Sequence, residues 1–309
     1  MRVVVLGASG MLGSTLVRVL AAEPDLRVIA CARDTRAAEA LARPPAPTAW
    51  QPFDAERDDD RSIDAALDGA TWVINAIGVI KSYIRDTHAA DVERAIAVNA
   101  RFPHRLARAA ERHGASVLQI ATDCVYAGTR GAYVETDAHD ALDVYGKTKS
   151  LGEVHAPRVH HLRTSIIGPE PAHFVSLLEW FRRQPHGATV NGYVNHYWNG
   201  VTTLQFARVA LGLVRGRATM AGLQHLIPAD TISKHDLLTV CRDVFDRHDL
   251  TIRRTDAADA IDRTLSTTDP LTSSALWAAA GYTAPPTIAA MVRELGAWLA
   301  ASGSPRGEA

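Results

Sequence analysis

Two short stretches of this chain, Ala121-Thr122-Asp123-Cys124-Val125-Tyr126 and Tyr145-Gly146-Lys147-Thr148-Lys149, supply a hydroxyl, a phenol and an ammonium. Reduction of a carbonyl needs this set: a proton donor, a second hydrogen bond to the oxygen, and a cation that eases ionisation of the donor. Tyr145 and Lys149 stand four positions apart and so share one face of a helix. The ammonium then favours the ionised form of a phenol whose ordinary pKa is about 10. The run from Val144 to His155, with Gly146 near its start and Pro157 just beyond, predicts that helix. Thr122 ends an apolar run and presents its hydroxyl from a strand tip. A Tyr and a Lys at this spacing also occur on many solvated helices, so the setting decides.

That setting begins at the first residue. Met1 to Leu6 is a short β-branched run that leads into Gly7-Ala8-Ser9-Gly10-Met11-Leu12-Gly13 and then into the helical pattern Leu12, Leu16, Val19, Leu20. Strand, tight turn and helix follow one another, and the spacing GxxGxxG lets backbone pass close to a pyrophosphate. Amides at the helix start supply donors and a partial positive charge. Gly7, Ser9, Gly10, Met11, Leu12 and Gly13 are therefore candidate dinucleotide contacts. About 20 residues further on, such folds place the group that meets the adenosine ribose. Here it is Arg33, followed by Arg36, and a guanidinium suits a 2′-phosphate, which favours NADP(H). Asp34 next to it keeps NAD(H) as the alternative.

Apolar runs alternate with helical patterns at 3 to 6, 27 to 31, 48 to 52, 72 to 77, 117 to 121 and 161 to 167. This predicts an α/β chain with a Rossmann-type doubly wound parallel sheet and a smaller α/β substrate-binding lobe. The sheet domain is expected over 1–168, with a helix at 202–215 returning to it. The lobe is expected over 169–201 and 222–301, and a frayed tail over 302–309. The stretch from His88 to His113 reads as one helix beside the site.

With 33 Lys and Arg against 34 Asp and Glu, no basic excess points to nucleic acid. Three cysteines without a CxxC give neither a disulfide framework nor a zinc site, and the 13 histidines show no metal-ligand spacing. The apolar start is too short for a signal peptide and no segment approaches a membrane span, so the cytoplasm is expected.

Four stretches, in this order and spacing, resemble the extended short-chain dehydrogenase/reductases, and within them the dTDP-4-dehydrorhamnose reductases and their sugar-nucleotide-binding relatives. They are Gly7 to Gly13, Asn75-Ala76-Ile77-Gly78, Thr122 to Tyr126 with Gly128, and Glu135-Thr136-Asp137 leading into Val144 to Lys149. The resemblance implies Tyr145 as proton donor, Lys149 on the nicotinamide ribose and lowering the phenol pKa, and Thr122 on the carbonyl oxygen. It places Ala76 and Gly78 beside the cofactor, Asp54 on the adenine, and Asn99 among the residues that hold the site. It further implies a nucleotide-linked 4-keto-6-deoxy sugar as substrate, a role in deoxysugar, polysaccharide or glycosylated-metabolite synthesis, and a homodimer.

Neighbouring residues separate the chemistries. Related 4,6-dehydratases have an Asp-Glu pair after the Thr; Asp123-Cys124 lacks that Glu, which argues against dehydration. GDP-fucose synthases carry a catalytic Cys at this position, so Cys124 opens an alternative as epimerase or epimerase-reductase. Their partner His after a Gly-Pro is Glu170 here, with His173 further on. A non-catalytic NADP-binding regulatory subunit, like the β subunit of a methionine adenosyltransferase, is the alternative of another class. Lys81 and Arg85 are placed to meet a diphosphate, and Trp198 lies in the aromatic run Tyr193 to Asn199 as a candidate for the sugar or base pocket.

Overall fold

The computed structural model describes residues 1–302. The first half alternates β1 (Arg2–Leu6), α1 (Met11–Ala21), β2 (Arg27–Ala32), α2 (Thr35–Ala42), β3 (Ala49–Pro52), α3 (Asp60–Leu67) and β4 (Trp72–Asn75). After α4 (Ala89–Ala95) and α5 (Phe102–His113) come β5 (Ser116–Ala121), α6 (Val144–Leu151), β6 (Val159–Arg163) and the short β7 (Ile166–Ile167). The second half holds α7 (Leu177–Arg182), β8 (Thr189–Tyr193), β9 (His196–Trp198), β10 (Val201–Thr202), α8 (Thr203–Val214), β11 (Leu223–His225), β12 (Ile232–Ser233), α9 (Lys234–Val244), β13 (Thr251–Thr255), β14 (Ile261–Asp262), α10 (Pro270–Ala279) and α11 (Ile288–Ala301).

Seven parallel strands form the main sheet in the order β11-β6-β5-β4-β1-β2-β3. This is the Rossmann-type doubly wound sheet. Strand order reverses on either side of β1, which opens a crevice at the carboxyl ends of β1 and β4. Because strand side chains alternate, Val3 and Val5 join the apolar layer under α1 and α8, while Val4 and Leu6 join the layer with Ile63, Leu67, Phe102 and Leu106. Both faces of the sheet are thereby covered.

Several boundaries differ from expectation for identifiable reasons. The helix read from His88 to His113 is continuous but contains a π segment, Ile96–Arg101, between α4 and α5. Pro103 has no N–H to give to the Asn99 carbonyl four residues back, which loosens the α-helical ladder there. The run from His161 to Ile167 divides after Arg163: β6 stays in the main sheet and β7 pairs with β10. The helix expected to reach His155 stops at Gly152.

The segment 222–301, expected to lie in the substrate lobe, contributes β11 to the edge of the main sheet beside β6. Its helices α9, α10 and α11 share one apolar cluster with α1 and α8, including Leu237, Trp277, Met291 and Leu295. What stands away from that core is a set of small ribbons, β12-β9-β14 and β13-β8. The frayed tail expected from 302 onward lies, from residue 303, outside the described residues. No helix among the described residues is long and apolar enough to cross a membrane.

One of the tightest joints of the fold is the turn between β1 and α1. Gly7 has φ +83°, a left-handed conformation that L side chains rarely adopt, and a Cβ on Gly13 would stand 2.0 Å from the Gly7 carbonyl oxygen. Gly13→Ala must therefore shift backbone, and we expect a loss of about 1–3 kcal/mol in urea unfolding. A melting curve superimposable on that of the unmodified chain contradicts this.

Candidate active site

At the start of α1 the backbone donors face the crevice. Gly10 is the N-cap and offers no side-chain cap, and the first turn has no acidic residue, so the amides keep their partial positive charge. Gly10 N–H closes the turn onto the Gly7 carbonyl at 3.0 Å, and Ala76 N–H donates to Leu6 at 3.0 Å, which draws the ends of β1 and β4 together. Ser9 lies at the mouth of a cleft lined also by Arg33, Asp34, Phe53 and Asp54. Asp34 caps α2 by accepting from Ala37 N–H at 3.0 Å, whereas Arg33 is exposed and makes no ion pair among the described residues. One oxygen of Asp54 accepts from Glu56 N–H at 3.0 Å. These features fit a dinucleotide: uncapped amides for the diphosphate, glycines where a Cβ would block approach, and a cation at the ribose end.

The reactive corner forms where β5 ends. Thr122 continues the extended backbone (φ −135°, ψ 144°); its hydroxyl accepts from Cys124 N–H at 3.2 Å and donates to Asp123 Oδ1 at 3.2 Å. The Tyr145 phenol approaches the Thr122 hydroxyl across the gap to α6. Gly146 permits this approach, since a Cβ there would lie 2.4 Å from the Cys124 carbonyl oxygen. Asp143 caps α6 through Gly146 N–H at 2.8 Å, and Asp86 accepts from Val144 N–H at 3.2 Å.

Lys149 is buried, and its Nζ donates to the Ile120 carbonyl at 2.9 Å. Burial pushes its pKa down to about 8, against the opposing charge of Glu153. The lowering of the phenol pKa expected from Lys149 is not what this geometry produces. Burial raises the Tyr145 pKa, with Cys124, Asp123 and Asp143 adding to it, while the ammonium is directed at a backbone carbonyl. Burial also raises Asp123, which Arg263 opposes. The Cys124 thiol is pushed up to about 12 by burial and by Asp123, so it is a neutral thiol and a poor base near pH 7.

Asn99, on the π segment, holds the loop after β4. Its amide accepts from Val79 N–H at 2.8 Å, donates to the Val79 carbonyl at 2.9 Å and reaches Thr148 Oγ1 on α6 at 3.3 Å. Gly78 sits directly over it. Two cations expected near a diphosphate are paired instead: Lys81 with Asp143 at 2.8 Å, and Arg85 with Asp91 at 2.7 Å. Trp198 packs against Gly200 and the main apolar cluster. His173 stacks edge-on to Tyr83, with ring centroids 6.1 Å apart, and Glu170 accepts from Ser176 N–H at 2.8 Å. Sequence reasoning missed Arg263, whose Nε donates to the Tyr126 carbonyl at 2.8 Å and whose stem lies against Gly128. It reaches the corner from 137 residues away, and no local pattern marks it.

A doubly wound sheet, an uncapped helix at the strand-order switch and a Thr-Tyr-Lys corner define a nucleotide-binding protein of the extended short-chain dehydrogenase/reductase class. The chain belongs to the family described as RmlD substrate binding domain, whose model matches residues 1–280. It is 30% identical over 154 residues to a dTDP-4-dehydrorhamnose reductase of Aggregatibacter actinomycetemcomitans, a match that covers 47% of this chain and 52% of that protein. The chain thus spans about half the length of the curated relatives it matches. Among solved structures it shares its fold with a dTDP-4-dehydrorhamnose reductase of Clostridium acetobutylicum, with a TM-score of 0.72 at 18% identity over 97% of this chain and 100% of that one. The enzyme of that name from Bacillus anthracis, solved in complex with NADP, superposes with a TM-score of 0.70 at 17% identity over 95% and 98%.

The depressed Lys149 gives a stability signature. Between about 8 and the ordinary lysine value of 10.5 the unfolded chain binds the Lys149 proton and the folded chain does not. Its contribution therefore rises with pH across that window, by at most about 1.4 kcal/mol per unit. Comparing urea unfolding of the unmodified chain and Lys149→Met at several pH values isolates it. We expect the unmodified chain to gain on the variant from pH 8 upward; a constant difference refutes the buried, depressed lysine.

Proposed function

We propose that the chain reduces the keto group of a nucleotide-linked 4-keto-6-deoxy sugar with NADPH. The observation that carries this reading is the approach of the Tyr145 phenol to Thr122 at the end of β5, with Lys149 buried and bonded to the Ile120 carbonyl. When bound, the dinucleotide supplies a hydride. Tyr145 gives its proton to the substrate oxygen, and Thr122 holds that oxygen with a hydrogen bond. Lys149 meets the nicotinamide ribose. The amides of residues 9 to 13 hold the diphosphate, with Ala76 and Gly78 flanking it and Asp54 at the adenine. Asp123 and Cys124 line the sugar side as neutral or hydrogen-bonded groups rather than as a base.

Two features support this substrate and cofactor. The curated relatives are named dTDP-4-dehydrorhamnose reductases, and one structural neighbour bearing that name holds NADP. Asp34 is engaged as a helix cap while Arg33 is unpaired among the described residues, which favours the 2′-phosphate over bare ribose hydroxyls. Against reduction by an epimerising route stands the thiol of Cys124, held protonated.

NADPH oxidation with dTDP- and UDP-4-keto-6-deoxyhexoses tests the reading. We expect turnover by the unmodified chain, and a fall of at least about 100-fold in kcat for Tyr145→Phe with NADPH affinity retained. Near-normal reduction by that variant removes Tyr145 from the chemistry. Arg33→Ser should raise the KM for NADPH by about 10–100-fold, the loss of a charge-assisted hydrogen-bonded pair, and leave the KM for NADH little changed. Equal effects on both cofactors contradict the 2′-phosphate assignment.

A further inference from the structure

Beneath Lys149 lies a buried ion pair that the proposed reaction does not use. The Glu153 side chain is 7% exposed and that of Arg163 0%. Arg163 grips both carboxylate oxygens, Nε to Oε1 at 3.2 Å and Nη2 to Oε2 at 2.6 Å. Its remaining donors reach the Tyr126 hydroxyl at 2.6 Å, His225 Nε2 at 2.9 Å and His139 Nε2 at 2.7 Å. A guanidinium only donates, so both imidazoles accept at Nε2 and carry their proton on Nδ1. There His225 donates to the Ser266 carbonyl and His139 to Ser150 Oγ, each at 2.7 Å. The guanidinium is satisfied by neutral partners, and Glu153 is its one carboxylate.

Register brings this clamp to the reactive corner. Arg163 stands opposite Ala121 and Leu162 opposite Ile120, the residue whose carbonyl receives Lys149 Nζ. Glu153 follows Gly152, the C-cap of α6, and its charge acts on Lys149 from just beyond the helix end. The ionisable groups around Lys149 are Tyr145 on its own helix, Asp123 and Cys124 on the turn after β5, His161 on β6, and Glu153. Tyr145 and Cys124 are neutral near pH 7, burial keeps His161 neutral, and Asp123 faces Arg263. Glu153 is the negative charge that remains. A buried ion pair adds little net stability over apolar residues of the same size, so its effect is better sought in the field that it sets.

We propose that Glu153, clamped by Arg163, is the positioning residue that keeps Lys149 an ammonium in its buried seat. The importance of that charge for turnover rests on the function proposed above; the charge itself does not. Neutralising Glu153 removes the anion that acts on Lys149 and leaves Arg163 without its carboxylate, and Lys149 sheds its proton more readily.

The chain has four lysines, Lys81, Lys147, Lys149 and Lys234, so 13C labelling at the lysine ε carbon gives a resolvable titration, with Lys149 assigned by its loss in Lys149→Arg. In the dinucleotide-free protein we expect a midpoint near about 8 for Lys149. Glu153→Gln should lower it by about one unit or more, the scale of a lost nearby opposite charge. Glu153→Asp should restore most of the difference. The double variant Glu153→Gln with Arg163→Met also removes the guanidinium that Glu153 neutralises and should still titrate below the unmodified chain. A midpoint unchanged in Glu153→Gln overturns the proposal. So does a double variant that returns to the original midpoint, since Glu153 would then serve only to neutralise Arg163. A shifted Lys149 in a chain that oxidises no NADPH with any keto sugar keeps this inference and rejects the proposed function; turnover with an unshifted Lys149 does the reverse.

Discussion

The site depends on how closely α6 is pressed against its neighbours. A Cβ at Gly152 would stand 2.0 Å from the Asn99 carbonyl oxygen, and one at Gly146 would stand 2.4 Å from the Cys124 carbonyl oxygen. Each end of the helix is thus seated backbone to backbone, on the π segment at one end and on the turn after β5 at the other. This contact fixes where Tyr145 and Lys149 project. The π segment belongs to the same constraint: it presents the Asn99 side chain to Val79 and Thr148 while its carbonyl meets Gly152. Loosening of either contact moves the phenol away from Thr122, although no residue of the corner itself has changed.

The second half of the chain is latched to this arrangement by polar contacts. Glu135 accepts from His225 N–H at 3.0 Å, from Thr267 Oγ1 at 2.7 Å and from Thr268 N–H at 2.9 Å. Burial works against its charge, but these donors prevail and hold the carboxyl down at about 2. The strand-like stretch around residues 262–265 is thereby laid along Thr129 and Tyr133 by two isolated bridges. Arg263 is carried on that stretch to the Tyr126 carbonyl and toward Asp123. The motif Glu135-Thr136-Asp137 therefore acts through folding, by tying a distant segment to the wall of the corner.

Local signals made much of this legible in the sequence. A β-branched run followed by GxxGxxG requires a strand, a tight turn and a helix in sequence, and the strand-helix alternation requires a parallel sheet; both are present. Thr122, Tyr145 and Lys149 meet because a strand tip and a helix start are each specified within a few residues. What was not legible is set by long-range pairing. β11 joins the main sheet because β6 offers an unpaired edge. Lys81 turns to Asp143, 62 residues on, and Arg263 arrives from 137 residues away. Charge states were illegible for the same reason: Tyr145 and Lys149 at helical spacing suggested mutual stabilisation, whereas burial and the Ile120 carbonyl set both groups.

The direction of those charge states bears on the direction of the chemistry. A group that must release a proton to a reduced carbonyl has to begin protonated, and burial secures this for Tyr145 by penalising the phenolate. The same burial penalises the ammonium of Lys149, which would leave a neutral amine with little hold on the anion formed after transfer. Two groups that must be protonated together are therefore pushed in opposite senses by one environment. A fixed negative charge beside the lysine relieves the second effect without stabilising the phenolate. Glu153, gripped by Arg163 of β6 and acting on Lys149, is placed to supply such a charge.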